Sequence, residues 1–311
     1  MAADIEKSGA DMECAVVRGA PVPGSVNRFG AFPAFLETIK FSHTVFALPF
    51  ALTGALLAAR GIPETVPLLW IVAAMVGART MAMGLNRLID ADIDAANPRT
   101  RSRAIPAGKL GKGTVAACVC ISAALFLTAA HQLNSLCFRL APAVLFVLAF
   151  YSYCKRFTAM SHLVLGFCLA GAPVGAWIAI RGSLEPTPLI LGLAVLLWVA
   201  GFDILYALQD LEFDRASGLH SIPARLGVRG SLWIARLFHL AALALLAWLS
   251  VPAQLGSVYL FGVAVAGALM AYEHWIVRNG DLARLDAAFF TMNGYVSMVV
   301  FVFTLMELAR R

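Results

Sequence analysis

Apolar residues run through this chain in blocks about twenty residues long, separated by short clusters of Gly, Pro, Asn and charge. The blocks fall at 34–59, 65–86, 113–131, 134–152, 160–181, 187–208, 231–250, 254–276 and 285–307. Twenty helical residues cover roughly 30 Å, the thickness of a bilayer's hydrocarbon. Only segments that satisfy their own backbone polar groups survive there. The pattern predicts an all-α, polytopic membrane protein of about nine transmembrane helices.

Composition agrees with that reading. Of 311 residues, 60% are hydrophobic and 14% charged, far more apolar surface than one soluble core requires. Residues 1–30 differ: Pro21, Pro23, several glycines and mixed charge leave no apolar run long enough for a signal-peptide core. They are expected to form a polar N-terminal tail, with 31–311 as one membrane domain. Cys14, Cys118, Cys120, Cys137, Cys154 and Cys168 have no metal-ligand spacing, and most lie in apolar segments as small hydrophobes.

The formal net charge of +6 is placed unevenly. Arg99, Arg101, Arg103, Lys109 and Lys112 follow the second block, Lys155 and Arg156 the fourth, Arg215, Arg225 and Arg229 the sixth, and Arg278 and Arg284 the eighth. The alternate connections hold little beyond Arg60, Arg181 and His131. By the positive-inside rule the even-numbered exits face the cytoplasm, as does the tail. Arg310 and Arg311 then lie outside, against the trend. The expected partner of such a surface is the lipid bilayer, with no nucleic-acid role.

Acidic residues concentrate at the ends of two apolar blocks. The first cluster contains Asn86, Asp90, Asp92 and Asp94; the second contains Asp203, Tyr206, Asp210, Glu212 and Asp214. Ionisable groups at membrane depth are costly and usually functional. On a helix, Asn86, Asp90 and Asp94 share one face, as do Asp210 and Asp214, while Asp92 and Glu212 fall off those faces toward solvent. Like charges at that spacing repel, so cations should sit between them. Four crossings separate the clusters, which places both on one side of the membrane.

The residues that follow strengthen the parallel. Ile105-Pro106-Ala107 runs on to Lys109-Leu110-Gly111, and Ile222-Pro223-Ala224 to Arg225-Leu226-Gly227. Such an internal repeat places its two copies facing each other across a central cavity. Carboxylates opposed in this way, roofed by Arg and Lys, suit Mg²⁺ and a diphosphate: magnesium binds through one or two carboxylates plus substrate phosphates, and Arg forks bind phosphate. Ionising an allylic diphosphate needs that charge neutralisation, and a membrane cavity shields the resulting cation from water.

These residues resemble the UbiA superfamily of intramembrane prenyltransferases. Asn86, Asp90 and Asp94 match the family's Asn-x-x-x-Asp-x-x-x-Asp motif, Asp210 and Asp214 its second Asp-x-x-x-Asp, and Arg103 through Gly108 its Arg-x-x-Pro-x-Gly loop. The similarity runs from about residue 31 to the C-terminus and includes Tyr151 to Thr158. It implies a helical bundle around a cavity open to lipid, with Asp90, Asp94, Asp210 and Asp214 as catalytic metal ligands for Mg²⁺. It further implies transfer of a polyprenyl group from a polyprenyl diphosphate to a small aromatic acceptor. The chain looks most like the 4-hydroxybenzoate polyprenyltransferase branch of ubiquinone synthesis. It also resembles, through Ile39 to Thr44, relatives that prenylate amino-deoxyfutalosine on a menaquinone route. The location implied is the bacterial inner membrane with the active site on the cytoplasmic side. Gln209 and His220 stand where many relatives carry lysine.

Other residues have competing roles. Asn86 assists the metal site. Arg103 and Lys155 are the leading phosphate contacts among the basic loop residues, whose plain alternative is topology. Asp203, deeper in its segment, should face the cavity, toward metal, acceptor or a structural hydrogen bond. Tyr206 and Tyr153 offer π faces to a cation or anchor the interface. Lys40 and His43 read as a snorkelling lysine and a core histidine, or as partners of an acceptor carboxylate. A reading from a different class is a cation- or proton-coupled secondary transporter, whose acids would sit in broken helices near the bilayer centre.

Overall fold

A computed structural model describes the backbone of residues 47–277 and 285–311 and the side chains of 47–277 and 291–311. The expected tail, Lys40, His43, Arg278 and Arg284 lie outside the described residues. Every element among the described residues is helical: α1 Ala47–Ala59, α2 Thr65–Ile89, α3 Ala91–Ala96, α4 Lys112–Leu133, α5 Ser135–Cys154, α6 Ser161–Arg181 and α7 Pro186–Ala207. A 3₁₀ turn Leu208–Asp210 leads to α8 Leu211–Ala216, followed by α9 Ile222–Leu249, α10 Ser257–Ile276 and α11 Leu285–Ala309. Among the described residues, seven helices are long and apolar enough to cross a membrane. Nine segments were expected: the first is described only from Ala47, and α10 occupies the eighth.

The chemistry of the helix ends follows the sequence. Asn134 accepts from Cys137 N–H at 2.9 Å to start α5, and donates to Ile178 O at 2.8 Å, tying the α4–α5 hairpin to α6. Gly182 closes α6 in the left-handed region, φ 68°, which glycine adopts without a side-chain clash. Ser221 caps α9 by accepting from Ala224 N–H. Within α9 the backbone leaves helical geometry at Gly227 (φ 65°), so the long membrane run starts only beyond it, near the expected 231.

Packing proceeds around a ring. α2 lies against α4, α4 against α5, α5 against α6, α6 against α7 and α7 against α9; α10 and α11 continue it, and α11 returns to α1. α7 is central, burying Leu191, Val195, Trp198, Val199, Ile204 and Leu205. The outer faces carry Ile121, Phe146, Phe167, Trp233 and Phe261 in the open, a surface that suits lipid rather than water. Without a hydrophobic drive between membrane helices, close approach depends on small residues. A Cβ on Gly166 would stand 2.3 Å from Leu196 O, so α6 and α7 meet backbone to backbone there.

Gly166→Val therefore forces α6 from α7, at a cost of roughly 1–3 kcal/mol. It should lower the melting temperature in detergent by several degrees. Gly171→Ala, on the same helix with nothing within 4 Å of the added carbon, should leave it unchanged. Equal melting of the two variants would contradict the close α6–α7 contact.

Candidate active site

Both acidic clusters sit at the same kind of break. α2 ends and the six-residue α3 begins at Asp90 (φ −92°, ψ 3°); α7 and its 3₁₀ turn end and the six-residue α8 begins at Asp210 (φ −100°, ψ 6°). Each duplicated aspartate is thus the hinge residue of its copy. The backbone turns at both positions. The i,i+4 relation survives: Asn86 donates to Asp90 Oδ2 at 2.9 Å, and Asp94 N–H to Asp90 O at 2.7 Å. Asp92 is 97% exposed along its side chain and Glu212 is exposed, as their angular positions required.

The two copies face one cavity of about 580 Å³, lined mainly by α2 and α4 to α7. All of Asn86, Asp90, Asp94, Arg103, Lys155, Asp203, Tyr206, Asp210 and Asp214 line it. Tyr153 does not: it is 48% exposed beneath Arg156, and Tyr151, two residues earlier on α5, takes the cavity position.

Cations offset the repulsion at Asp90, Asp94 and Asp210, each acid with its own set. Asp90 is nearly fully buried and receives Lys155 Nζ at 2.6 Å and Arg156 Nη2 at 3.2 Å. Asp94 receives Arg103 at 2.7 Å, with Arg87 at 3.8 Å. Asp210 is clasped by both arms of Arg99, through Nε at 2.8 Å and through Nη2, and accepts from Asn97 Nδ2 at 3.0 Å. Asn97 and Arg99 belong to the loop after the first cluster, so the first copy supplies the counter-charge of the second. Arg99 also donates to Tyr206 Oη at 3.0 Å and lies over its ring. Burial works against the Arg99 charge, but the bonds to Asp210 and Tyr206 outweigh it and raise its pKa above the ordinary guanidinium value. Asp214 also lines the cavity.

The donor set suits a hard dication. It consists of carboxylate and amide oxygens, with Asp94 Oδ2 buried and without a hydrogen-bond partner. Among the described residues no three such groups converge tightly enough to enclose a metal alone. A dication that takes one or two carboxylates and completes its shell from phosphate oxygens fits this spacing.

Deeper in the cavity lie residues that block hydropathy passed over. Arg79, two turns before Asn86 on α2, lines the cavity, and its Nε is buried without a partner among the described residues. His162, on the first turn of α6, is buried and hydrogen-bonds Asp203 at 2.7 Å. Arg79, Arg87 and His162 are ionisable residues inside apolar runs, a signal that was legible. Asn97 gave none.

A model of the UbiA prenyltransferase family matches residues 47–295. The chain is 31% identical over 249 residues to a 4-hydroxybenzoate octaprenyltransferase of Tolumonas auensis, covering 79% of this chain and 85% of that protein. It is 26% identical over 257 residues to one of Francisella tularensis subsp. novicida, covering 82% and 89%. Its fold is similar to the apo structure of a UbiA homolog from Aeropyrum pernix K1, with TM-score 0.78, 32% identity and coverage of 86% and 98%. A UbiA homolog from Archaeoglobus fulgidus bound to DMAPP and Mg²⁺ shares the fold at TM-score 0.65 and 17% identity, covering 88% and 99%.

The Arg99–Asp210 clasp makes a prediction independent of turnover. Arg99→Ala or Asp210→Ala strands the remaining charge, so each should lower thermal stability. The double variant should lose less than the sum, with a coupling of about 1 kcal/mol or more. Additive losses would show that the clasp does not hold.

Proposed function

We propose a reaction for this chain, which belongs to the UbiA prenyltransferase family: transfer of the prenyl group of a polyprenyl diphosphate to 4-hydroxybenzoate, in ubiquinone biosynthesis. The site would open to the cytoplasm from the bacterial inner membrane, since the basic loops that roof it mark that side. Asp90, Asp94, Asp210 and Asp214, with Asn86, would hold Mg²⁺; bound there, it offsets the charge that a diphosphate brings against four carboxylates. The cations already present then have a second use. Arg99, Arg103, Lys155 and Arg156 exchange carboxylate oxygens for phosphate oxygens, which they bind with equal geometry. Tyr206 and Tyr151 turn their rings toward the allylic cation, and the apolar walls of α4 to α6 take the chain and exclude water.

The observation that supports a carboxylate-bearing acceptor is Arg79. A cation deep in an apolar cavity is costly unless an anion joins it, and no described residue supplies one. Measured from the duplicated hinge aspartates, Arg79 lies about 16 Å deep on α2 and Asp203 about 10 Å deep on α7, at 1.5 Å per residue. A benzoate whose carboxylate meets Arg79 presents its ring across that difference, toward Asp203 and the diphosphate. A transporter reading accounts for neither the clasped acids at the cavity mouth nor the family to which the chain belongs.

Two outcomes follow. Asp90→Ala or Asp210→Ala should abolish Mg²⁺-dependent transfer in membranes while the protein still inserts; retained turnover would remove the metal-ligand roles. Arg79→Ala should raise KM for 4-hydroxybenzoate at least tenfold and leave KM for the allylic diphosphate within twofold, with Arg79→Lys intermediate. The acceptor is tested by offering 4-hydroxybenzoate and amino-deoxyfutalosine in parallel with labelled allylic diphosphate. Product from the nucleoside alone would replace the proposed acceptor.

A further inference from the structure

Asp203 differs from Asp90, Asp94 and Asp210. Asp90, Asp94 and Asp210 each hold at least one Arg or Lys, whereas Asp203 faces the cavity with His162 as its hydrogen-bond partner among the described residues. The imidazole has a defined orientation. Its Nε2 accepts from the backbone N–H of Ile222 at 3.4 Å, at the start of α9, which leaves Nδ1 as the protonated nitrogen donating to Asp203 Oδ2 at 2.7 Å. The ring is 96% withdrawn from solvent, with a side-chain exposure of 4% against 22% for Asp203. A buried donor that cannot turn away therefore aims into the cavity a carboxylate that pairs with no Arg or Lys among the described residues, about two helical turns below the acidic cluster at the mouth.

We propose that Asp203 is the base that removes the ring proton of the acceptor and that His162 is the residue that positions it. The assignment rests on the reading of this cavity as a site of aromatic prenylation. In that step the allylic C–O bond breaks and its electron pair leaves with the diphosphate. A ring π pair forms the new C–C bond at the carbon beside the hydroxyl. The C–H pair at that carbon then restores the aromatic ring, and the proton passes to Asp203, which becomes a carboxylic acid and returns the proton to water when product leaves. The diphosphate would be the poorer base, because Arg99, Arg103, Lys155 and Arg156 would surround it and lower its basicity. His162 needs no net proton change; its Nδ1–H holds Oδ2 so that Oδ1 meets the ring.

The test is a ring-deuterium isotope effect on the full-length enzyme in membranes with geranyl diphosphate and Mg²⁺. The acceptor is whichever of the two parallel candidates the wild type prenylates, deuterated at the substituted carbon; a wrong acceptor thus changes the parallel assay and leaves this one readable. Ionisation is followed separately through exchange of ¹⁸O between bridging and non-bridging positions of recovered geranyl diphosphate. The wild type should show an isotope effect near one, because ionisation limits it. Asp203→Asn should slow transfer about 100-fold or more, with an isotope effect above two and ¹⁸O exchange still present. His162→Leu should show the same signature more weakly, and His162→Gln, which keeps an N–H donor, should recover most of the rate. Loss of ¹⁸O exchange in Asp203→Asn would move Asp203 into the diphosphate machinery and overturn the proposal. So would an isotope effect that stays at one in both the Asp203 and the His162 variants.

Discussion

A carboxylate withdrawn from water at the edge of a bilayer must meet positive charge, and much of this molecule's organisation follows from that requirement. Removing one member of such a pair strands the other at a cost of several kcal/mol. The acids at the two hinges could have been neutralised within their own copies. Instead the loop after α3 crosses to the second copy, where Arg99 and Asn97 hold Asp210, while Lys155 and Arg156 from the end of α5 hold Asp90. Three separate stretches of chain are thereby locked over one cavity mouth. The duplicated helices are brought face to face by electrostatics as much as by packing.

The proposed exchange of counter-charge would let the mouth admit a highly charged substrate. A diphosphate offers the guanidinium and ammonium groups the oxygen geometry that the carboxylates offer now, and the released carboxylates are the hard ligands that a dication prefers. Below the mouth the chemistry grades with depth. Tyr206 and Tyr151 come first, then Asp203 with His162, then Arg79 in an otherwise apolar wall. In the proposed reaction, a cation formed at the mouth would meet π faces and the acceptor ring before it met water. The lipid-exposed outer faces and the close α6–α7 contact at Gly166 keep that wall dry.

Much of this was legible in the sequence because membrane insertion and charge burial leave long signals. The block pattern showed the helices, and the duplicated acids and Ile-Pro-Ala loops showed the two copies. What escaped has local causes. Hydropathy does not register the backbone turns at Asp90 and Asp210, since the residues on either side remain helical. Tyr151 and Tyr153 differ by about 200° around α5, and the interfacial position of both concealed which one faces inward. Which Arg meets which Asp depends on how the loop of residues 97–111 folds back, set by Thr100 donating to Asp94 O and Asn97 accepting from Arg99 N–H. Such hydrogen bonds have no periodicity. Arg79 and His162 do leave a signal, each an ionisable residue in an apolar run.

The central claim is that the carboxylates stay engaged with their own cations until a diphosphate replaces them as the cations' partner. Isothermal titration of Mg²⁺ into the purified protein, with and without a non-ionisable prenyl thiodiphosphate, tests it most directly. The account predicts weak Mg²⁺ binding alone, at least tenfold tighter binding with the analogue, and no such gain in Asp90→Ala or Asp210→Ala. Mg²⁺ affinity that is the same with and without the analogue would contradict it.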